Sequence, residues 1–260
     1  MEHSTPKRVF LDNCILSISD TVQGAQKNHQ INWGGKEHTV KISGFEGKPL
    51  PKESQPWKRE QVECMPTIGR LARQDVIALS SYVETMFEGW KRPGSSSATA
   101  IGNVFNGVEF EHVEAAVERS YFFQSSLDEH VDSQSMIKFC KWLLNIDPNV
   151  LIDKVTQAKS LPSFQVANLR NVKRFSELCK GLSEKQYPDA FHLWTAEVNG
   201  ADFFLTIDKK FIHVMTETNR VDLPCPPLSP SQLLNQLGID ERDPIEYMEG
   251  VFYDILGRRG

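Results

Sequence analysis

Short apolar runs that stop at polar or acidic residues, set between longer helical stretches, limit what this chain can fold into. Val9–Leu11 ends at Asp12, Val76–Leu79 runs into Ser80-Ser81, and "ADFFLTI" ends at Asp208. Strands that alternate with helices argue for an α/β fold, with a mostly parallel sheet and helices on its faces. A helix is expected after Asp12. Another follows Val76–Leu79, with Ser80 or Ser81 as its cap. Pro188 suits the first turn of a helix that Asn199-Gly200 would stop.

Between these elements the pattern changes. The stretch at about 21–66 is rich in Gly, Pro and Lys and alternates at "HTVKIS". It reads as an insertion carrying a hairpin and a loop. Pro93–Asn103 reads as a loop. The middle, about 103–180, reads as mainly helical, broken at Pro148 and closed at Gly181. "KKFIHVMT" fits a turn and a further strand. "LSPSQLLNQLG" fits a helix ending at Gly238, and the tail "PIEYMEGVFYDILGRRG" fits a last short helix. All 260 residues are taken as one domain.

Composition excludes several classes. The five cysteines are scattered without a C-x-x-C, against both a disulfide framework and a zinc site. The chain has no G-x-x-x-x-G-K-[ST] loop. A cysteine phosphatase built on Cys14 would need an arginine where Asp20 stands, and a haloacid dehalogenase built on Asp12 would need an aspartate where Cys14 stands. No apolar run approaches the roughly 18 residues of a spanning helix, and "MEHSTPKRVFLDN" has no signal-peptide core, so a cytoplasmic protein is expected. A net charge of −5 rules out a bulk polycation. A local basic path remains open along Lys159, Arg170, Lys173, Arg174, Lys180 and Lys185.

Ligands of open α/β sheets gather outside the carboxyl ends of the strands. Asp12 and Asp208 would project from that edge. Asp189 lies in the first turn of the helix that feeds the Asp208 strand. Glu84 and Glu88 sit one turn apart on one helix face. Singly, these are a strand-end turn, a helix-start residue and an ordinary turn. Together they would repel by about 4 kcal/mol per pair at about 4 Å. Such a cluster persists only with some acids protonated or a cation among them, and all-oxygen ligands favour Mg²⁺ or Mn²⁺.

"RVFLDNCILS" resembles the opening of PIN domains, and "DAFHLWTAEVNGADFFLTIDKKF" resembles their closing block. "LSPSQLLNQLG" resembles their last connection and helix. The likeness covers Val9 to Ser17 and Pro188 to Gly238. In the middle it reaches only a strand followed by a Glu-bearing helix. The opening block has Asn13-Cys14 where many members have Thr-Asn. The resemblance implies a three-layer α/β/α sandwich and a metal-dependent ribonuclease acting on single-stranded RNA. Asp12, Asp189 and Asp208 would bind Mg²⁺ or Mn²⁺. The fourth acid would be Glu84, nearer the helix start, with Glu88 as the alternative.

Thr206 would orient metal-bound water or simply serve the strand. His192 would be a structural neighbour, or else a general acid or metal ligand. Arg170, Lys173, Arg174, Lys209 and Lys210 are candidate RNA contacts, with Trp57, Lys58 and Arg59 from the insertion. An antitoxin or inhibitor protein and a homodimer also follow from the resemblance. Two other readings stay open: a PIN-like scaffold that binds RNA or protein without cutting, and a hydrolase of DNA flaps or small phosphoesters.

Overall fold

The computed structural model describes residues 5–90, 101–123, 133–158, 161–218 and 221–259; the side chains of 87–90, 133 and 155–158 fall outside that description. Most of the expected Pro93–Asn103 loop, Lys159 and the Glu88 side chain therefore lie outside the described residues.

The central sheet has five strands in the order β5-β4-β1-β6-β7, each pair parallel. Strand β1 (Lys7–Leu11) runs between β4 (Ile77–Ser81) and β6 (Phe203–Leu205), and β5 (Glu111–His112) and β7 (Pro227–Leu228) form the edges. Val9, Phe10 and Leu11 are each fully buried. By the two-residue period of a strand they alternate between faces. Val9 and Leu11 meet Ile68 and Leu71 of the helix Pro56–Arg73, and Leu233 and Leu234 of the helix Pro230–Gln236. Phe10 turns the other way, stacked 5.9 Å from Phe204, into a core that includes Phe139, Phe175, Phe191 and Trp194. An apolar core of that size on each face explains why β1 is continuously apolar.

The stretch 21–66 holds two different structures. Strands β2 (Val22–Trp33) and β3 (Lys36–Gly47) form an antiparallel hairpin, paired without interruption from Val22↔Gly47 to Trp33↔Lys36. Its two-residue turn is Gly34-Gly35, both at positive φ (61° and 73°), which a mirror-image turn requires and only glycine adopts freely. From Pro56 the chain is an 18-residue helix that belongs to the core.

Four expectations are corrected. Residues 101–123 contain no α-helix. Ala115–Val117 is instead irregular, buried chain with a bend at Ala116-Val117, and side chains satisfy its backbone: Asn168 donates to Ala116 O (2.8 Å), Gln165 donates to Ala115 O (3.1 Å), and Thr195 Oγ1 accepts from Ala116 N (3.2 Å). The α-helices described in the middle stretch are Ser133–Asn145, Pro148–Ala158, Ser163–Arg170 and Val172–Leu178. "KKFIHVMT" is helical (Lys209–His213, then a π-turn to Thr218), because Asp208 caps it. The tail is not a helix: Phe252-Tyr253 forms β8 and pairs with Phe45-Glu46 of β3. Ser81 stays in β4, and the next helix starts at Val83, where Thr85 Oγ1 accepts from Tyr82 N (3.3 Å). Among the described residues no helix is long and apolar enough to cross a membrane.

Gly69 sits inside the helix Pro56–Arg73, where glycine is a poor helix former. A Cβ there would run into the backbone carbonyl of Val104. Gly69→Ala is therefore expected to destabilise the protein by about 1–3 kcal/mol despite alanine's better helix propensity. Urea unfolding checks this, and a stabilised variant would contradict it.

Candidate functional site at the carboxyl edge of the sheet

The parallel register delivers two of the expected acids to one edge. Leu11 pairs with Leu205, and Asp12 N donates to Leu205 O at 3.0 Å, so Asp12 leaves β1 beside Thr206. Thr206 Oγ1 donates to Asp12 Oδ2 at 2.6 Å and accepts from Asp208 N at 3.1 Å. One buried hydroxyl therefore links the two aspartates. Asp208 Oδ1 accepts the N–H groups of Lys210 and Phe211, each at 2.9 Å, which caps the following helix. These bonds use Oδ2 of Asp12 and Oδ1 of Asp208, and leave the other oxygen of each carboxylate outside them.

Cys14 completes the Asp12 environment. Its thiol donates to Asp12 Oδ2 at 2.9 Å and accepts from Ile207 N at 3.2 Å. Burial, reinforced by the adjacent Asp12 charge, pushes the thiol well above its ordinary pKa. It stays protonated and serves as a donor, not a nucleophile.

The other acids come from helices. Asp189 lies half-buried in the first turn of the helix Tyr187–Val198. One turn on, His192 is buried, with Nδ1 2.6 Å from the Tyr82 hydroxyl, just past the end of β4. Glu84, in the first turn after β4, is 5% exposed and forms a two-point ion pair with Arg119, itself 1% exposed: Nε to Oε1 at 3.1 Å and Nη2 to Oε2 at 2.8 Å. Arg119 Nη1 also donates to Ser135 Oγ at 3.1 Å, tying in the helix Ser133–Asn145. Burial raises the Glu84 carboxyl, and the Arg119 charge pulls it back. Glu84 and Asp189 both act on the buried Cys140 thiol, held well above its ordinary value by burial first and then by neighbouring Cys179.

The structure thus joins Asp12 to Asp208 through Thr206, and engages Glu84 with Arg119. Among the described residues no three His, Cys, Asp or Glu side chains are grouped closely enough to hold a metal ion. In kind, the oxygen donors at Asp12 and Asp208 suit a hard cation such as Mg²⁺ or Mn²⁺.

The expected RNA contacts divide. Arg170 and Lys173 are exposed. Arg174 is held by Glu197 through two bonds (2.8 and 2.6 Å) and by Asp222 O (2.7 Å), so its guanidinium braces the fold. Arg59 pairs with Glu63, and Lys58 and Lys210 are exposed. The Lys209 ammonium lies 5.8 Å from the Trp57 ring centre, which brings together two candidates 152 positions apart in sequence.

Arg119, Tyr82 and Cys14 were not expected at this site. Arg119 offers one cue: it is the single cation in "VEAAVERSYFF", a stretch otherwise mostly of small and apolar residues. No family model, curated protein or solved structure matches the chain.

Removing one member of a buried ion pair costs about 3–5 kcal/mol, because it strands the other charge. Arg119→Met should destabilise by that order. Without Arg119 the Glu84 carboxyl rises further, so the folded state binds its proton more tightly than the unfolded chain does. That stabilisation is present below the unfolded Glu pKa and lost as pH rises through the folded one. The deficit of Arg119→Met relative to wild type should therefore shrink between about pH 7.5 and about pH 5, measured by urea unfolding. A pH-independent deficit would contradict this placement of Glu84.

Proposed function

We propose that this protein is a metal-dependent endoribonuclease of the PIN class, a three-layer α/β/α sandwich that cuts single-stranded RNA. The observation that carries the reading is the Thr206 hydroxyl joining Asp12 and Asp208 at the carboxyl edge of a parallel sheet. By the PIN resemblance Asp12, Asp208 and Asp189 would hold Mg²⁺ or Mn²⁺, which requires the three carboxylates to draw closer together than they stand in this structure. A bound ion supplies a more acidic water and offsets charge on the phosphate. Thr206 and Cys14 both donate to Asp12 Oδ2, which orients that carboxylate. The cap on Asp208 fixes its rotamer through Oδ1. By the resemblance Glu84 would be the fourth metal-binding acid, with Glu88 as the alternative; here the Glu84 carboxylate is engaged by Arg119. An inhibitor protein, a homodimer and a cytoplasmic location belong to the proposal through the PIN resemblance alone.

The Glu84–Arg119 pair also favours a second reading, a PIN-like scaffold that binds RNA without cutting it. A third, cleavage of DNA or small phosphoesters, separates by substrate. The test is purified protein with Mn²⁺ and matched single-stranded RNA and DNA.

Asp208→Asn is expected to reduce RNA cleavage to background while leaving stability nearly unchanged, because asparagine caps a helix as well as aspartate does. Wild-type cleavage by Asp208→Asn would sink the site assignment, and an inert wild type would favour the scaffold. Thr206→Val should cost about 10- to 100-fold in activity, the usual effect of losing a group that orients a ligand, whereas Thr206→Ser should keep most of it. Equal activity of Thr206→Val and wild type would show that the hydroxyl serves only the strand.

A further inference from the structure

The β2–β3 hairpin extends well past its base. Strand β8 pairs with Phe45 and Glu46, so among the described residues the outer pairs have no third strand beside them. Directly paired residues share a face. One face is uniformly polar: Gln26↔Ser43, Asn28↔Lys41, Gln30↔Thr39 and Asn32↔Glu37. Thr39 Oγ1 donates to Gln30 Oε1 across it at 3.1 Å.

The opposite face is different in kind. Outward from the base its pairs are Lys27↔Ile42, His29↔Val40, Ile31↔His38 and Trp33↔Lys36. The apolar members run diagonally, Trp33 and Ile31 on one strand and Val40 and Ile42 on the other. Lys36 with His38, and Lys27 with His29, occupy the two remaining corners. Trp33 is 77% exposed at the tip. At the base the Phe252 ring lies over Gly44, and the Lys27 ammonium is 5.8 Å from its centre. The one acid of this face, Glu46, sits at the base opposite Phe252. From Lys27 to Trp33 the face spans about 20 Å with rings and cations and no carboxylate.

We propose that this hairpin face is a binding surface for single-stranded RNA, with Trp33 stacking on a base and Lys27 and Lys36 meeting phosphates. The inference rests on the ribonuclease reading for its ligand and goes beyond that reading's catalytic edge. Exposed rings interleaved with cations match the alternation of bases and phosphates in a single strand. The face is cationic on a chain of net charge −5, so the charge is local and directed. A second copy packed on the same face would set Lys27 and Lys36 against their own kind. A lipid or protein cover would favour an unbroken apolar patch, whereas here imidazoles and ammonium groups interrupt the diagonal.

The test is fluorescence anisotropy of a labelled single-stranded oligouridylate with the full chain in EDTA, which removes cutting from the measurement. Trp33→Ala should weaken binding about tenfold, in the range for one lost stacked base. The double variant Lys27→Glu, Lys36→Glu should weaken it further and flatten its salt dependence. Lys41→Glu on the polar face should change little. Circular dichroism of each variant confirms the hairpin is intact. Wild-type affinity in the Trp33 and Lys27/Lys36 variants overturns the proposal. So does a wild type without RNA affinity, or an effect confined to anionic vesicles or an acidic peptide. Cleavage with Mn²⁺ is read in parallel. Cutting that is indifferent to the hairpin removes the grip and keeps the nuclease, and hairpin-dependent binding without cutting does the reverse.

Discussion

Everything at the carboxyl edge depends on β1 lying between β4 and β6. That strand can be central only because its residues are apolar toward both faces, with Val9 and Leu11 on one side and Phe10 on the other. Full burial of side chains of this size contributes about 1.5–3 kcal/mol each, and it fixes the register, since a one-residue slip would exchange the two faces. Register in turn determines chemistry. Leu11 opposite Leu205 puts Asp12 beside Thr206, and Asp208 follows two residues on. The site is a consequence of packing.

Polar groups behind that edge are satisfied by long-range partners. The buried Ala115–Val117 segment is held by amide and hydroxyl side chains from two helices. Arg119, two residues on, closes on Glu84. A buried ion pair contributes little net stability, but breaking it is costly. The Glu84–Arg119–Ser135 chain therefore registers three elements against one another: the helix after β4, the turn at Arg119 and the helix Ser133–Asn145.

The α/β class and the parallel sheet were legible because strand and helix patterns alternate cleanly at both ends of the chain. Asp12 and Asp208 were legible as a pair because each ends an apolar run. The helix Lys209–His213 was missed because "KKFIHV" has both periods, and the cap that decides between them depends on the Asp208 rotamer. The tail is expected as a short helix, yet Gly250 and Gly257 adopt positive φ and its Phe252-Tyr253 pairs with a strand about 200 residues earlier. Residues 113–118 differ from the expected helical middle because Glu114, Ala115 and Ala116 favour a helix locally, and nothing local shows that Gln165 and Asn168 will bond this backbone. Arg119 was missed for the same reason: its partner is defined by tertiary structure.

The central claim is that the Asp12–Thr206–Asp208 edge holds a divalent cation for phosphodiester chemistry. Calorimetric titration of Mn²⁺ into wild type and the Asp12→Asn, Asp208→Asn double variant addresses it without requiring the RNA target. Saturable binding by wild type that disappears in a folded double variant is the result expected. Equal Mn²⁺ binding by both proteins, or none by wild type, would contradict it.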